Sequence, residues 1–200
     1  MQQSTDRTQV SLRLTIAFVA FFAVLAVLLR VAPRYLDLGG GVWNLMPVGA
    51  LALFAGSRLR TRWAYLVPLG AMLVSDLLLI RPLASLGVFT FTWGTPLIYA
   101  SFAVYVLIGR LIGQRELSPM VIGGAALVAS VQFFLVTNFT VWPNNPLYPQ
   151  TLGGLLSCYA AGVPFYRHTL ASDLFFSALF FGLHAALAWG LAPGKARQPA

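Results

Sequence analysis

Charged residues are scarce in this chain. Only 9% of its 200 residues are Asp, Glu, Lys or Arg, whereas 58% are hydrophobic and the mean hydropathy is +0.79. About a quarter of a soluble globular domain is charged, because its surface must face water. So little charge indicates that lipid is most of the solvent, which excludes a soluble enzyme or a soluble binding domain.

Cysteine, histidine and acidic residues are also few. The single cysteine, Cys158, excludes an intrachain disulfide and a thiolate zinc site, and we interpret it as a packing residue. The two histidines and five acidic residues do not form a catalytic cluster by spacing, and His184 is expected to be packed and hydrogen-bonded. Walker A, GxSxG and HExxH motifs are absent. The sequence therefore predicts no metal, no cofactor and no enzymatic activity.

Basic residues exceed acidic ones, giving a formal net charge of +8. They lie in short groups between apolar runs rather than in a stripe with aromatics, so no nucleic-acid partner is expected. With six spans and the N-terminus inside, nine basic residues fall on the inner side and four on the outer side. The inner nine are Arg7, Arg13, Arg58, Arg60, Arg62, Arg110, Arg115, Lys195 and Arg197. This asymmetry predicts a multi-pass protein of the bacterial cytoplasmic membrane with both termini cytoplasmic.

Long apolar windows set the predicted fold. A membrane-spanning helix needs roughly 20 mainly apolar residues. The windows predict an all-α, polytopic transmembrane bundle of about six helices, with Ser118 as an N-cap and Pro119 at the first position of helix 5. The predicted helices are 14–31, 42–59, 63–80, 96–112, 120–137 and 170–191. Residues 1–192 are expected to form one transmembrane domain, and residues 193–200 a disordered cytoplasmic tail.

The longest predicted connection, residues 138–169, has two parts. It opens with a Trp-Pro-Asn-Asn-Pro turn signal at 142–146. Residues 151–163 are then apolar and helix-compatible, with Thr151 as an N-cap. Because this stretch is short for a span, we interpret it as a re-entrant or interfacial segment, with a seventh span as the alternative.

Polar residues within the spans are the candidate functional residues. Asn44, Asp76, Asn138 and Asp173 all fall near the outer ends of their predicted helices. An ionised Asp in hydrocarbon costs at least about 2.5–3.5 kcal/mol, so it faces the bundle interior or a watery cavity. Together with Trp142 and other outer aromatic residues, they predict an outward-opening small-molecule site. The predicted substrate-binding residues are Asn44, Asp76, Asn138, Trp142 and Asp173.

Each of these residues also has a structural interpretation. Asp76 could pair with Arg81 or another outer arginine, and Asp173 could favour the first turn of helix 6. The two asparagines could cap helices or bond across them. The aromatic residues could form an ordinary interfacial belt. Pairs of small residues, such as those at 52 and 56, 178 and 182, and 182 and 186, would allow close helix contacts within the bundle or with a partner.

Several motifs resemble a known family. They are Asn44 to Gly56 with its Asn-Leu-Met-Pro start, Pro68 to Asp76, Asn-Phe-Thr-Val-Trp at 138–142, Tyr148-Pro149, and Cys-Tyr-Ala-Ala-Gly-Val-Pro-Phe at 158–165. Together they resemble an uncharacterised bacterial family of six-helix membrane proteins described as transport proteins. That family is similar, more distantly, to the substrate-binding S-components of energy-coupling-factor transporters.

The resemblance implies a function. S-components have cytoplasmic termini and an outward ligand site, and they dock to an energising subunit. Helix 1 of this chain lacks their usual Ala-x-x-x-Ala docking pattern, since its alanines are spaced by three. The leading hypothesis is a membrane substrate-binding or uptake subunit for an unknown small molecule, with the lipid bilayer and an energising subunit as partners. The alternatives are a structural or assembly membrane protein without a ligand, and an intramembrane enzyme acting on lipid.

Overall fold

The computed structural model describes residues 2–36, 46–59, 61–113 and 117–190. Within these ranges the chain is all-helical, with six α-helices, so the predicted fold class is confirmed. The helices are α1 Gln2–Tyr35, α2 Val48–Arg58, α3 Trp63–Ala84, α4 Thr95–Ile112, α5 Pro119–Val141 and α6 Leu152–Gly190, with a short 3₁₀ helix, Trp142–Asn144, after α5. All except α2 are long and apolar enough to cross a membrane, as expected of a multi-pass membrane protein.

Two helix starts follow the capping chemistry that the sequence predicts. The Val121 N–H donates to Ser118 Oγ over 3.3 Å, and Pro119 occupies the first helical position of α5. The Gly154 N–H donates to Thr151 Oγ1 over 3.2 Å at the start of α6. Each side chain satisfies a backbone donor that the first turn leaves without a helical partner.

Helix α6 corrects the prediction for residues 151–163. These residues do not form a separate re-entrant or interfacial element, or a seventh span, because α6 runs without a break from Leu152 to Gly190. Its first turns pack along the end of α5, where Tyr159 donates to the Leu135 carbonyl over 3.0 Å. At 39 residues α6 is about 58 Å long. The connection between α5 and α6 is therefore much shorter than the predicted one of about 30 residues.

The helices alternate in direction. Arg30 of α1 reaches Asp76 of α3, and Tyr35 donates to the Leu78 carbonyl over 2.9 Å, so α1 and α3 run parallel. Thr15 of α1 bonds His184 of α6. Phe22, further along α1, packs on Phe180, which precedes His184, so these two helices run antiparallel. We call the end of the bundle with Thr15, Arg58 and His184 the Arg58 end, and the opposite end the Asp76 end.

Helix α2 lies at the centre of the bundle and contacts the other five helices. All its residues from Val48 to Gly56 are buried. A Cβ at Gly56 would collide with the backbone of Val106 in α4, and a Cβ at Gly109 would collide with the backbone of Leu53. Two glycines, one on each helix, thus permit the close backbone approach predicted for the small-residue pair at 52 and 56. The predicted residues 42–45 of this helix lie outside the described residues, as does the predicted tail.

An aromatic core joins α1, α2 and α6 toward the Arg58 end. Its members are Phe18, Phe22, Phe54, Phe180 and Phe181. His184 packs against Phe18 and Phe54, and its Nε2 lies 3.0 Å from Thr15 Oγ1. The expectation that His184 is a packed, hydrogen-bonded residue is therefore confirmed. This core holds α2 and α6 against each other. Asp173 lies on the same helix, seven residues before Phe180, which is about two helical turns.

Candidate functional site

Asp76 lies in an ion pair between three helices. Its Oδ1 is 2.6 Å from Arg30 Nη2, and its Oδ2 accepts a hydrogen bond from the Tyr99 hydroxyl over 2.6 Å. Arg30 also donates to Ser75 Oγ and to the Met72 carbonyl. Only 5% of the Asp76 side chain is exposed. Both carboxylate oxygens are thus engaged, and the partner is Arg30, one of the arginines that the sequence predicts to lie on the outer side.

Asp173 has a different environment. It is 3% exposed, and its Oδ2 accepts a hydrogen bond from the buried Tyr105 hydroxyl over 2.6 Å. Its Oδ1 has no hydrogen bond within the described part of the chain and lies against Gly49, where any Cβ would collide with it. Because α6 begins at Leu152, Asp173 lies in the helix interior rather than in a first turn. Instead it packs on the first turn of α2, whose N-terminal dipole favours a carboxylate.

The two carboxylates belong to separate clusters. Their tyrosine partners, Tyr99 and Tyr105, are six residues apart on α4. That spacing separates them by about 9 Å along the helix axis and about 120° around it. Asp76 therefore lies closer to the Asp76 end than Asp173 does, and on another side of α4. The sequence predicts the same outer depth for both residues, but in the structure they lie at different depths in the bundle.

Two adjoining cavities open between α2, α4, α5 and α6. The first, about 100 Å³, is lined by Met46, Gly49, Phe102, Tyr105, Phe133, Thr169, Ser172 and Asp173. The second, about 150 Å³, is lined by Phe133, Phe134, Thr137, Asn138, Gly162, Phe165, Tyr166 and Thr169. Phe133 and Thr169 line both, so the cavities meet there. Two of the predicted site residues, Asp173 and Asn138, are thereby brought to neighbouring cavities.

The remaining predicted site residues lie elsewhere. Trp142 follows α5, and its indole N–H donates to the Pro149 carbonyl over 2.9 Å, which closes the link to α6. Asp76 lines neither of the two cavities. Asn44 lies outside the described residues. Asn138 itself donates from Nδ2 to the Phe134 carbonyl over 2.9 Å, which leaves its Oδ1 against Gly162.

Tyrosine partners are what sequence reasoning missed. Tyr99 and Tyr105 both stand inside the apolar window of α4, and each donates to a carboxylate. A buried tyrosine hydroxyl usually requires a hydrogen-bond partner, so tyrosines within a predicted span are a usable signal. Arg30 was also available as a signal, because it ends the apolar run of helix 1. The sequence contains no signal for the role of Gly49, because that role depends on which helix packs against it.

Comparison with protein families identifies the chain. Residues 10–194 match a family of unknown function, DUF6580, and the chain belongs to that family. Neither the curated proteins nor the solved structures contain a match. The expected membership in an uncharacterised family is confirmed, and the comparisons add no match to a transporter or to an S-component.

Proposed function

We propose that this member of a family of unknown function is a membrane substrate-binding or uptake subunit, and that its ligand is a small cationic molecule held at Asp173. The proposal depends chiefly on one observation. A buried carboxylate with one unbonded oxygen lines a cavity, and no basic side chain in the described ranges pairs with it. An ionised group in such surroundings is expensive without a partner, and a cationic ligand would supply one.

The walls of the cavity suit the same ligand class. Phe102, Tyr105 and Phe133 line the same cavity as the carboxylate, and aromatic faces attract cations within about 6 Å. Tyr166, Thr137 and Asn138 in the adjoining cavity offer hydroxyl and amide groups that could orient a ligand. The volumes, about 100 and 150 Å³, are below the roughly 300–1,000 Å³ of drug-sized sites. A ligand of a few non-hydrogen atoms would fit.

The proposed setting follows the charge asymmetry of the sequence. The Arg58 end would face the bacterial cytoplasm and the Asp76 end would face outward, with both termini cytoplasmic. The protein would capture its substrate from outside without catalysing a reaction. A separate energising subunit or an ion gradient would supply the free energy for uptake.

A second candidate function has its own supporting observation. Asp173 packs on the first turn of α2, whose N-cap residue, Pro47, makes no side-chain capping hydrogen bond. The carboxylate could therefore serve only to stabilise that helix end. Under this alternative the chain would be a structural or assembly membrane protein without a ligand.

Thermal unfolding in mild detergent tests the proposal. The probes are ethylammonium and tetramethylammonium chloride, with sodium chloride as the ionic-strength control and sodium acetate as the anion control. We expect an ammonium probe to raise the unfolding midpoint of the unmodified protein and of Asp76→Asn, but not that of Asp173→Asn. Asp76→Asn is the matched control, because it removes the same charge outside the cavities. Loss of the partner of Arg30 lowers its starting midpoint, so each ammonium shift is measured from the variant's own midpoint.

Two results would count against the proposal. Equal ammonium stabilisation of Asp173→Asn and the unmodified protein would show that Asp173 does not hold the cation. No ammonium effect on the unmodified protein, together with native mass spectra from its own membranes that contain lipid alone, would favour the structural role.

A further inference from the structure

Two larger cavities flank Arg58, the last residue of α2. One, about 430 Å³, opens between the start of α5 and the last part of α6. The other, about 650 Å³, opens between α1 and the start of α3. Their described linings are apolar apart from Arg58, which lines both and is exposed, and Thr61 in the second. A single cationic side chain thus stands where two apolar grooves meet.

Arg58 has no carboxylate partner among the side chains that the structure describes, which exclude those of residues 2–11. The two acidic side chains among them, Asp76 and Asp173, are bonded to residues of the other clusters. The guanidinium lies over the Phe181 ring, with Arg58 Cζ 5.9 Å from the ring centroid. A cation in this position attracts an anion, and a guanidinium can donate two parallel hydrogen bonds to a phosphate.

Other basic residues reinforce the positive charge at this end. Arg110 donates to the Thr61 carbonyl over 2.9 Å, and its guanidinium lies 4.6 Å from the Tyr65 ring centroid. Arg62, the N-cap residue of α3, is exposed and lines neither cavity. The Arg58 end therefore combines a local excess of positive charge with grooves that apolar chains can fill.

We propose that an anionic phospholipid binds at the Arg58 end, with its phosphate on Arg58 and its acyl chains in the two flanking cavities. Basic pockets between transmembrane helices recognise anionic headgroups in this manner. The volume and the apolar lining of the two cavities distinguish this site from a simple anion site, because phosphate alone would leave them unfilled. The inference is independent of the ligand proposed at Asp173.

Native mass spectrometry of the purified protein tests the site. The protein is supplied with dioleoyl phosphatidylglycerol or dioleoyl phosphatidylcholine, and retained lipid is counted for each. We expect the unmodified protein and Arg62→Gln to retain phosphatidylglycerol preferentially, and Arg58→Gln to lose that preference by roughly tenfold. Arg62→Gln is the matched control for lost charge. An unchanged preference in Arg58→Gln would overturn the proposal.

A second pair of variants tests the acyl-chain part without touching the arginine. Gly182 lines the α5–α6 groove and a Cβ there meets no other atom, so we expect Gly182→Leu to occupy part of that groove. Gly70 also has open space but lines neither groove, so Gly70→Leu is its control. Gly182→Leu should lower phosphatidylglycerol retention and Gly70→Leu should not. If glycerol 3-phosphate displaced phosphatidylglycerol at equal concentration, the site would bind phosphate alone and the proposal would be wrong.

Discussion

The two buried carboxylates of this chain occupy opposite kinds of surroundings. Asp76 has a partner on each oxygen, one of them the cationic Arg30. Asp173 has a hydroxyl on one oxygen and no hydrogen bond on the other within the described ranges, and it lines a cavity. A carboxylate whose oxygens are both bonded within the bundle stabilises the packing of its helices. A carboxylate with an open oxygen beside a cavity retains the capacity to bind something else.

This comparison changes the assessment of the residues that sequence alone favours. Asp76 is the most conspicuous polar residue in the sequence, because apolar residues flank it on both sides. If it bound substrate, as the sequence predicts, its neutralisation would abolish binding and spare the fold. With Arg30 beside it, neutralisation should instead destabilise the bundle. Asp173 is the better candidate for ligand contact.

The largest expected effect comes from breaking the Asp76 ion pair. Arg30→Met or Asp76→Leu alone should lower the free energy of unfolding by about 3–5 kcal/mol, because each leaves a buried charge without its partner. The double variant should recover much of that loss, since neither charge remains. Chemical denaturation in detergent measures all three. Additive losses in the double variant would show that the two residues do not act as a pair.

An intermediate effect is expected at Gly49. Gly49→Ala places a Cβ against Asp173 Oδ1 and the Tyr105 ring, so one of them must move. We expect a loss of about 1–3 kcal/mol in unfolding free energy. Gly70→Ala is the control, because its Cβ meets nothing and alanine favours a helix interior. Equal behaviour of the two variants would contradict the close contact between α2 and Asp173.

The smallest expected effect is a difference between two tyrosines. Tyr105→Phe removes the hydroxyl that bonds Asp173, whereas Tyr99→Phe leaves Asp76 with Arg30. The cost of an unsatisfied buried group is about 1–3 kcal/mol, against about 0.5–1.5 kcal/mol for an ordinary hydrogen bond. Tyr105→Phe should therefore be the more destabilising variant. A greater loss for Tyr99→Phe would show that Asp173 is satisfied in another way.

Much of the fold could be predicted from the sequence. Apolar windows of span length indicate a helix at each of the six positions, and five of the observed helices are long and apolar enough to cross a bilayer. Ser118 and Thr151 marked helix starts, because capping is local chemistry. The helix whose bounds were predicted wrongly is α6, which begins at Leu152 rather than at residue 170. A window method ends a span where polarity rises at Arg167 and His168, but the backbone can continue as a helix through such residues when another helix packs beside it.

The candidate site was less predictable, for a physical reason. Depth along each helix can be estimated from sequence, but the direction in which a side chain faces depends on helix rotation and on neighbours. Asp76 and Asp173 were placed at one depth, and they lie in different clusters on different sides of α4. Likewise Trp142 closes a connection through Pro149, which no spacing rule reveals.

The burial of α2 has a consequence for how the chain is made. Its described helix has 11 residues, about 16 Å, or roughly half the hydrocarbon thickness. Its closest backbone contacts are with α4, and its first turn contacts Asp173 of α6. Both partners leave the ribosome after it. Completion of the bundle must therefore wait for α6, so assembly ends with α2 being enclosed by helices synthesised later.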